Sequence, residues 1–513
     1  MIGASRAPAV GSGPVGRWGR RAGQVALVAA AGAAVAIAVT ARRRGTGSGA
    51  GPEGPVRGRT TLQRRAHLAR LGGRAGADFA RHRARRVFAG AARQAELDQE
   101  FELRTAAQVA EALGNMKGAF MKLGQMASYL DVGLPPHVRE ALAGLQQDAP
   151  PMSAELAAGV VERELGAPPD RLFLEWDPVP IASASIGQVH RAITRDERPV
   201  AVKVQYPGVD DAIRSDLDSA GLIFGAMGLA LPGFDPAPVV DEIRFRVTEE
   251  LDYRLEAQNT QLFADFYRHH PFISVPDVVP ELSSARVLTT DLAEGVRFEE
   301  MTGWSQDERN LAAEAIYRFV FRSLYRVHAF NGDPHPGNYL FRPGGRVTFL
   351  DFGLVKHFTA PEIDVFGEMI RMMVIERDLP RFRAVIERIG LLAPGTPVSD
   401  AEVLDYYSHF YEFVMEDAVV TVTPEWSSEA AARYFDPTGP YGPIIKAANL
   451  PRSFVIIQRI NLGLMAILGD LAATANFRRI ANELWPWVDA PPSTPMGEAE
   501  ARWLADRARI RTA

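Results

Sequence analysis

Cysteine is absent from this 513-residue sequence, and lysine is scarce. The absence of cysteine excludes disulfide cross-links, thiol catalysis and thiolate metal sites. The ten histidines are scattered and show none of the paired spacings that zinc enzymes use. Only five of the 57 Lys and Arg residues are lysines. A lysine on an apolar strand of this arginine-rich chain therefore indicates that a compact ammonium group is needed there.

Acidic residues are almost absent from the first 95 residues. This segment holds eighteen arginines and no lysine, and Glu53 and Asp78 are its only acids, so its formal charge is +16. The whole chain carries −5, which leaves about −21 for the remainder. A basic arm on an acidic body is typical of proteins that bind an anionic membrane surface or nucleic acid. An arginine-rich composition bias is the alternative.

The basic arm contains an apolar stretch that is shorter than a full membrane span. Val25–Val39 is uncharged and rich in alanine, and arginines flank it at 20–21 and 42–44. It falls short of the roughly 20 residues expected for a helix that crosses a bilayer. We expect a membrane anchor here; a disordered tail or a targeting segment is the alternative.

The length suggests roughly two to four domains. Residues 41–60 are rich in Gly, Pro and Arg and are typical of a linker. We divide the chain into a basic tail with this linker at 1–60, a helical extension at 61–171, a small lobe at 172–294, a larger helical lobe at 295–488 and a C-terminal tail at 489–513.

Hydrophobic periodicity and turn residues predict the elements of the two lobes. Two strands joined by a polar turn are predicted within 185–208, a helix over 239–266, a strand within 285–295 and a long helix over 308–330. A hairpin follows, with strands at 339–341 and 347–350. After Phe358 the pattern is mostly helical to about Trp487.

Two carboxylates and a carboxamide lie close together in the segment from 330 to 358. Asn338 follows Asp333 by five residues, and Asp351 follows Asn338 by thirteen, just before Phe-Gly. The predicted hairpin places Asn338 and Asp351 at adjacent strand ends, where their oxygens suit Mg²⁺. Asp333 can orient or deprotonate an attacking hydroxyl. Phosphoryl transfer needs this combination, although each residue alone would also fit an ordinary turn.

Upstream segments supply the other parts of a phosphoryl-transfer site. Lys203 lies on a Val-rich strand, where a phosphate-pairing lysine is expected. The helical segment that follows offers Glu249, Glu250 and Glu256 as carboxylates to hold that lysine. No GxGxxG is present, so the phosphate-covering loop is predicted from small residues whose backbone N–H groups can face phosphates. These residues are Ala182, Ser183, Ala184, Ser185 and Gly187.

Several segments resemble the UbiB/AarF-type atypical kinase family, also called the ADCK or coenzyme-Q kinase-like family. Met121–Gln125 (MKLGQ) is similar to its KxGQ signature, and Ala182–Ala192 (ASASIGQVHRA) is similar to its alanine-rich loop. DPHPGN at 333–338 with LDFG at 350–353 resembles its catalytic and metal-binding motifs. The resemblance extends over roughly residues 85–485.

The resemblance implies an α+β, protein-kinase-like two-lobe fold with an N-terminal helical KxGQ extension. It implies that Lys203 pairs with Glu256 and with nucleotide phosphates. Asp333 would be the catalytic-loop aspartate, and Asn338 and Asp351 would bind Mg²⁺. The implied cofactors are therefore ATP or ADP with Mg²⁺.

The resemblance also assigns residues around this centre. Thr290, Asp291 and Ala293 would line the hinge that holds adenine. Lys122 and Gln125 would belong to the extension that occludes a protein substrate, and we count them among the catalytic residues. These two side chains share one helix face, since they are three residues apart.

The sequence departs from the family pattern at three places. Asn331-Gly332 stands where the family has His-Ala. Serines interrupt the alanine-rich loop, so the resemblance carries no nucleotide preference over to this chain. An APE tripeptide at 360–362 follows the DFG by only seven residues, which leaves no room for a normal activation loop. We interpret it as a chance match, and its position argues against a platform for peptide substrates.

We therefore expect a Mg²⁺-dependent, ATP-binding atypical kinase that acts more as an ATPase than as a protein kinase. The resemblance implies a role in isoprenoid quinone or lipid metabolism, with the kinase-like domain on the cytoplasmic side of a bacterial membrane. The expected partners are a nucleotide, a membrane lipid or quinone precursor, and a second copy of the chain or quinone-biosynthesis proteins, but not nucleic acid.

Two other functions remain open. One is a small-molecule phosphotransferase of the aminoglycoside/choline kinase kind, which phosphate appearing on a hydroxylated compound would favour. The other is a nucleotide-gated, non-catalytic scaffold that binds lipid, which nucleotide binding without turnover would favour.

Overall fold

A computed structural model of the chain describes residues 152–184, 186–210, 251–332, 334–435, 439–448 and 452–512. The strands are β1 (Phe173–Ala184), β2 (Gly187–Thr194), β3 (Pro199–Gln205), β4 (Ile273–Ser274), β5 (Val287–Asp291), β6 (Ala329–Asn331), β7 (Tyr339–Arg342), β8 (Arg346–Phe349), β9 (Val355–His357), β10 (Val420–Thr421) and β11 (Thr474–Ala475). The helices are α1 (Ala154–Leu165), α2 (Pro169–Leu172), α3 (Tyr253–Phe266), α4 (Phe298–Met301), α5 (Gln306–Arg322), α6 (Ala360–Ile370), α7 (Leu379–Arg388), α8 (Asp400–Ser408), α9 (Glu412–Met415), α10 (Pro424–Phe435), α11 (Gly442–Ala447), α12 (Arg452–Asp470), α13 (Phe477–Leu484) and α14 (Pro495–Thr512).

Four antiparallel strands in the order β1-β2-β3-β5 form the sheet of the small lobe. Strand β3 alternates the buried Val200, Val202 and Val204 with less buried residues, so one face of the sheet is apolar. Helix α1 covers that face, with Val160 in the shared core. The opposite face of β3 presents Lys203 toward helix α3.

Helix α5 is the centre of the large lobe. Its residues 312–322 are all buried, which is typical of a helix that is surrounded by other elements. It continues as a π-helical segment, Ser323–Val327. The hairpin β7–β8 and most of the later helices contribute to one apolar cluster around α5.

The two lobes are joined after β5 by a segment that requires a glycine. Gly295 has a φ of 150°, and an added Cβ would lie 2.9 Å from Phe341 O and 3.0 Å from Leu340 Cβ. Val296 and Phe341 each donate their N–H to the other's carbonyl at 2.9 Å. These two backbone hydrogen bonds attach the connection directly to β7 of the large lobe.

The structure confirms the α+β arrangement and most predicted elements. The two strands within 185–208, the strand within 285–295 and the hairpin are present. The long helix over 308–330 ends earlier than expected, because it passes through the π-helical segment into β6. Residues 1–151 and 211–250, with the KxGQ segment, lie outside the described residues.

The segment 489–513, predicted as a C-terminal tail, is mostly helical. Pro495–Thr512 is an 18-residue helix in which Met496, Glu500 and Trp503 are buried. No helix in the described part of the chain is long and apolar enough to cross a membrane. The apolar stretch Val25–Val39 lies outside that part.

Candidate active site

Strand β3 and helix α3 bring a lysine and a carboxylate together across the small lobe. Lys203 Nζ lies 2.7 Å from Glu256 Oε1 and 2.9 Å from Glu256 Oε2, although 53 residues separate the two in sequence. Asp252 caps the N-terminus of α3, so Glu256 lies in the first turn of the helix. Glu249 and Glu250, the other two candidates, lie outside the described residues.

A second carboxylate faces the same lysine from the large lobe. Lys203 Nζ is 3.5 Å from Asp351 Oδ2, and the side chain of Asp351 is 34% exposed against 17% for Lys203. Burial alone would lower the pKa of Lys203, but the charges of Asp351 and Glu256 outweigh it and raise that pKa well above its ordinary value. The charged form of the lysine is therefore favoured, and its ammonium contacts carboxylates from both lobes.

Hydrogen bonds on three sides fix Asp351 and its neighbours. Gly353 N donates to Asp351 Oδ1 at 2.9 Å. Asn331 Nδ2 donates to Asp351 O at 2.5 Å, so the asparagine that departs from the family pattern supplies a donor at this point. Asn259 Nδ2, on helix α3, donates to Phe352 O at 3.2 Å. The helix that carries the lysine's partner thus also contacts the Asp-Phe-Gly backbone.

Asn338 lies at the same end of the hairpin as Asp351. It ends a 3₁₀ turn, and β7 begins at the next residue, Tyr339, which pairs with Phe349. Leu350 N then donates to Asn338 O at 3.0 Å. The predicted placement of the carboxamide and the carboxylate at adjacent strand ends is therefore confirmed at the level of the backbone.

The segment around Asp333 is held closely by the large lobe. Gly332 N donates to Leu354 O at 2.6 Å, and Pro334 packs so closely on α12 that a Cβ added to Gly463 would overlap its ring. The predicted site residues that lie outside the described part are Asp333, Lys122, Gln125 and Ser185.

The phosphate-covering segment is a tight hairpin. Ala184 pairs with Gly187, so only Ser185 and Ile186 connect β1 with β2. Gly187 cannot carry a side chain, because an added Cβ would overlap the carbonyl oxygen of Val204 on β3. A glycine is therefore required at this position because strands β2 and β3 approach each other closely.

Strand register determines which residues of this hairpin share a face with the lysine. Ala182 pairs with Val189, Val189 with Lys203, and Lys203 with Leu288, which makes one row across the four strands. Residues paired in this way point to the same face of the sheet. Ser183 lies in the next row and on the opposite face. Therefore only the backbone of Ser183, and not its side chain, can face bound phosphates on the side of Lys203.

The three predicted hinge residues lie at different points of the connection. Thr290 pairs with Ala201 and shares the face of Lys203. Asp291 ends β5, and its carboxylate accepts a hydrogen bond from Arg198 Nε. Ala293 follows in the link between the lobes. Of these three side chains, Thr290 is best placed to face the cleft.

Sequence reasoning missed four apolar residues around the cleft. Ala201 precedes Lys203 by two residues and lies on the same face, so strand alternation alone could have found it. Val189 and Leu288 flank the lysine only because of the strand register. Leu340 approaches Gly295 from the large lobe. Val189, Ala201 and Leu288 therefore place apolar residues around Lys203 on one face of the sheet, and Leu340 lies beside the link between the lobes.

Metal binding here would rely on few protein ligands. Among the residues that the structure describes, no three His, Asp or Glu side chains form a group able to hold an ion. Asp351 and Asn338 offer a carboxylate and a carboxamide, which are hard donors suited to Mg²⁺. A pair of this kind fits an ion that takes its other ligands from phosphate oxygens and water.

Three comparisons relate the sequence and the fold of this chain to known proteins. A family model described as ABC1 atypical kinase-like domain matches residues 144–385. The chain is 34% identical over 269 residues to the mitochondrial atypical kinase COQ8B of Rattus norvegicus, which is 52% of this chain and 51% of that protein. It is 31% identical over 253 residues to the mitochondrial atypical kinase COQ8 of Saccharomyces cerevisiae, 49% of this chain and 50% of that protein.

These alignments span about half the length of the curated relatives. Among solved structures, the complex of Rv3197 with erythromycin from Mycobacterium tuberculosis is similar over 98% of that chain and 77% of this one. The sequence identity is 33% and the TM-score is 0.57.

Proposed function

This chain belongs to the ABC1/UbiB family of atypical kinases, and from that premise we propose that it binds ATP with Mg²⁺ and transfers or hydrolyses the terminal phosphoryl group. The family membership agrees with the predicted kinase-like fold, in which the cleft lies between a small β-sheet lobe and a large helical lobe.

The observation that carries this proposal is the position of Lys203 between Glu256 and Asp351. Kinase chemistry needs a lysine–glutamate pair and a metal-binding aspartate that are in place together. Here the ammonium contacts both carboxylates, and these contacts between the small lobe, helix α3 and the Asp-Phe-Gly segment support the proposal. Lys203 would hold the nucleotide phosphates, and Glu256 would orient the lysine.

The remaining residues have roles that follow from their chemistry. Asp351 and Asn338 would hold Mg²⁺, which neutralises phosphate charge when it is bound. Asp333 would orient the attacking oxygen. Ala201, Thr290 and the link at 292–295 would hold the adenine ring, with donors and acceptors from the link backbone.

The acceptor is proposed to be water or a small molecule rather than a peptide. The APE tripeptide begins α6: Thr359 caps this helix, Pro361 lies in its first turn and Glu362 completes a capping box. Strand β9, between the Asp-Phe-Gly segment and α6, pairs with β6. The short connection is thus folded onto the large lobe, and it offers no extended segment on which a peptide could lie.

We also propose a membrane setting and a role in quinone or lipid metabolism. The support is the basic arm with Val25–Val39 and the similarity to the COQ8 kinases. A second copy of the chain or other quinone-biosynthesis proteins are the proposed partners. A second candidate function is action on a hydroxylated small molecule, which the similarity to a structure solved with erythromycin favours.

The test is ATP turnover by the full chain with Mg²⁺. It is measured alone, with vesicles of anionic phospholipid, with a hydroxybenzoate as a model quinone precursor, and with erythromycin. Turnover that rises with vesicles or phenol and releases inorganic phosphate supports the lipid-coupled ATPase. Phosphate found on the phenol or on erythromycin supports the small-molecule kinase. ATP binding without turnover in every condition would contradict the proposal that the chain is an enzyme, and it would favour the non-catalytic scaffold.

A further inference from the structure

Helix α14 lies against the helix that carries Glu256. It falls outside the residues matched by the family model, which end at 385, and sequence reasoning treated it as a tail. Its contacts with α3 are at the C-terminal end of that helix, whereas Glu256 lies in the first turn. A helix of 14 residues is about 21 Å long, so the two ends are separate points of attachment.

The C-terminal end of α3 has no basic residue of its own in its last turn. The last carbonyls of a helix have no partner within the helix, and a cation near them is favourable. Arg507 of α14 provides both a hydrogen-bond donor for these carbonyls and a positive charge near them. Its Nη1 atom donates to Phe266 O at 2.6 Å and to Asp265 O at 3.1 Å. Arg507 therefore caps α3 from another helix.

Trp503 extends the same attachment by one turn of α14. Its Nε1 donates to Arg268 O at 3.0 Å, just beyond the end of α3. The ring meets His270 edge-on at a centroid distance of 4.5 Å and Phe266 edge-on at 5.9 Å. The guanidinium of Arg507 lies over the Phe266 ring at 5.3 Å. Polar and apolar contacts thus hold one end of α3.

The other side of α14 is fixed to the large lobe. Glu500 is 1% exposed and accepts from Arg318 and Arg322 of α5 at 2.9–3.0 Å. Burial by itself raises the pKa of Glu500, but the contacts with His270 and with these arginines more than offset burial, and they lower the pKa below its ordinary value. Because Glu500 is charged and held by two arginines, α14 is a rigid support rather than a loose tail.

We propose that Arg507 and Trp503 are positioning residues that hold α3 so that Glu256 stays on Lys203. Helix α14 thereby connects the large lobe to the lysine–glutamate pair. The proposal rests on nucleotide binding at this pair as proposed above. Phe263 and Tyr267 also attach the C-terminal end of α3 to Phe319 of α5. Loss of the cap therefore loosens the last turn of α3 without releasing it, and the fraction of molecules with the lysine–glutamate pair formed falls. Apparent nucleotide affinity falls by the same fraction.

The test is a double-mutant cycle in the full chain, with MgATP affinity as the readout. The variants are Arg507→Ala, Glu256→Gln and both together. Arg502→Ala is the matched control, because Arg502 is an exposed arginine of the same helix. We expect Arg507→Ala alone to weaken binding by about five- to tenfold, and to have no further effect once Glu256 is replaced. Arg507→Lys, which keeps a cation near the carbonyls, should restore part of the loss. If the two substitutions instead act independently, their fold-losses in MgATP affinity multiply in the double variant. Arg507 would then have only a structural role, and the proposal would be overturned.

Amide hydrogen exchange without nucleotide keeps the test independent of the proposed function. Residues 253–266 should exchange faster in Arg507→Ala than in the wild type or Arg502→Ala. Unchanged exchange there would overturn the inference even if ATP binds, whereas faster exchange with no ATP binding by the wild type would contradict only the proposed function. If Arg507→Ala does not fold, Trp503→Phe keeps a smaller aromatic ring at this position but removes the hydrogen bond to Arg268 O, and the same outcomes apply.

Discussion

The ionic cluster at the cleft and the ionic cluster inside the large lobe differ in how completely they are enclosed. At the cleft, Lys203 faces Glu256 and Asp351, and Asp351 is 34% exposed. Inside the large lobe, the side chain of Arg318 is 0% exposed and that of Glu500 is 1% exposed. The buried guanidinium donates to side chains from α5, α13, α14 and the segment before α14.

This difference distinguishes a structural cluster from a functional one. The buried cluster is closed by protein groups on every side, as buried charges must be if they are to stabilise a fold. Among the residues that the structure describes, the cleft cluster has one cation, Lys203, facing two carboxylates, and the carboxylate of Asp351 is partly accessible. An arrangement of this kind can accept a metal ion at the carboxylate and phosphates at the lysine. Changes at the cleft should therefore affect activity, and changes in the buried cluster should affect stability.

Removing the charge of Asp351 at the cleft should reduce activity more than any other substitution considered. Asp351→Asn removes the charge that would hold Mg²⁺, so ATP turnover should fall by at least about a thousandfold. The unfolding midpoint should change little, because the carboxylate is partly exposed. Asp364→Asn, an exposed aspartate of α6, is the control. Turnover near the wild-type rate in Asp351→Asn would remove the cleft cluster from the mechanism.

The second prediction concerns the buried cluster. Arg318→Met leaves Glu314, Glu483 and Glu500 without their shared guanidinium. Removing one partner of a buried ionic group costs about 3–5 kcal/mol of unfolding free energy, which denaturant titration measures. Arg502→Ala should cost less than about 0.5 kcal/mol, because its side chain is exposed. If Arg318→Met lowers the unfolding free energy as little as Arg502→Ala does, the buried ionic cluster does not stabilise the fold.

A glycine substitution should separate catalysis from binding. Gly463→Ala places a Cβ on the ring of Pro334, the neighbour of Asp333, so it should displace the catalytic segment. We expect turnover to fall about 10- to 100-fold with ATP affinity within about threefold of the wild type. Gly159→Ala, in helix α1, is the control, since its nearest atom would be 3.5 Å away. Equal turnover in both variants would show that the contact with Pro334 is unimportant.

The stability of the folded protein should also depend weakly on pH through Glu500. The pKa of Glu500 is lowered in the folded protein relative to an ordinary 4.5. Its stabilising contribution is therefore fully present above the unfolded pKa and is lost as the pH falls below about 4.5. The unfolding free energy should decrease between pH 5 and 3.5, and Glu500→Gln should make that decrease shallower. An identical slope in the two proteins would mean that Glu500 does not titrate as inferred.

Sequence reasoning found the site because its main residues occur in short motifs. The spacing of Asn338 and Asp351 follows from a hairpin, and Lys203 stands out in a chain with five lysines. The choice of Glu256 over two nearby glutamates needed the family resemblance, since all three lie on one predicted helix. Leu288 could not be found at all, because only the strand register places it beside Lys203.

Helix α14 escaped prediction for a different reason. Its inward residues Met496, Glu500, Trp503 and Arg507 have helical spacing, but only two of the four are apolar. A hydrophobic pattern cannot reveal a helix that is attached through a carboxylate and a guanidinium. Its partners, Arg318 and Phe266, lie more than 180 residues earlier, and the sequence alone does not show these pairings.

We infer that the cleft cluster binds a metal–nucleotide complex. The most direct measurement is the equilibrium affinity for ATP of the full chain as a function of Mg²⁺ concentration, in the wild type and in Asp351→Asn. The wild type should bind ATP more tightly as Mg²⁺ increases, and the variant should show little or no such increase. The same Mg²⁺ dependence in both proteins, or no ATP binding by the wild type, would contradict the claim.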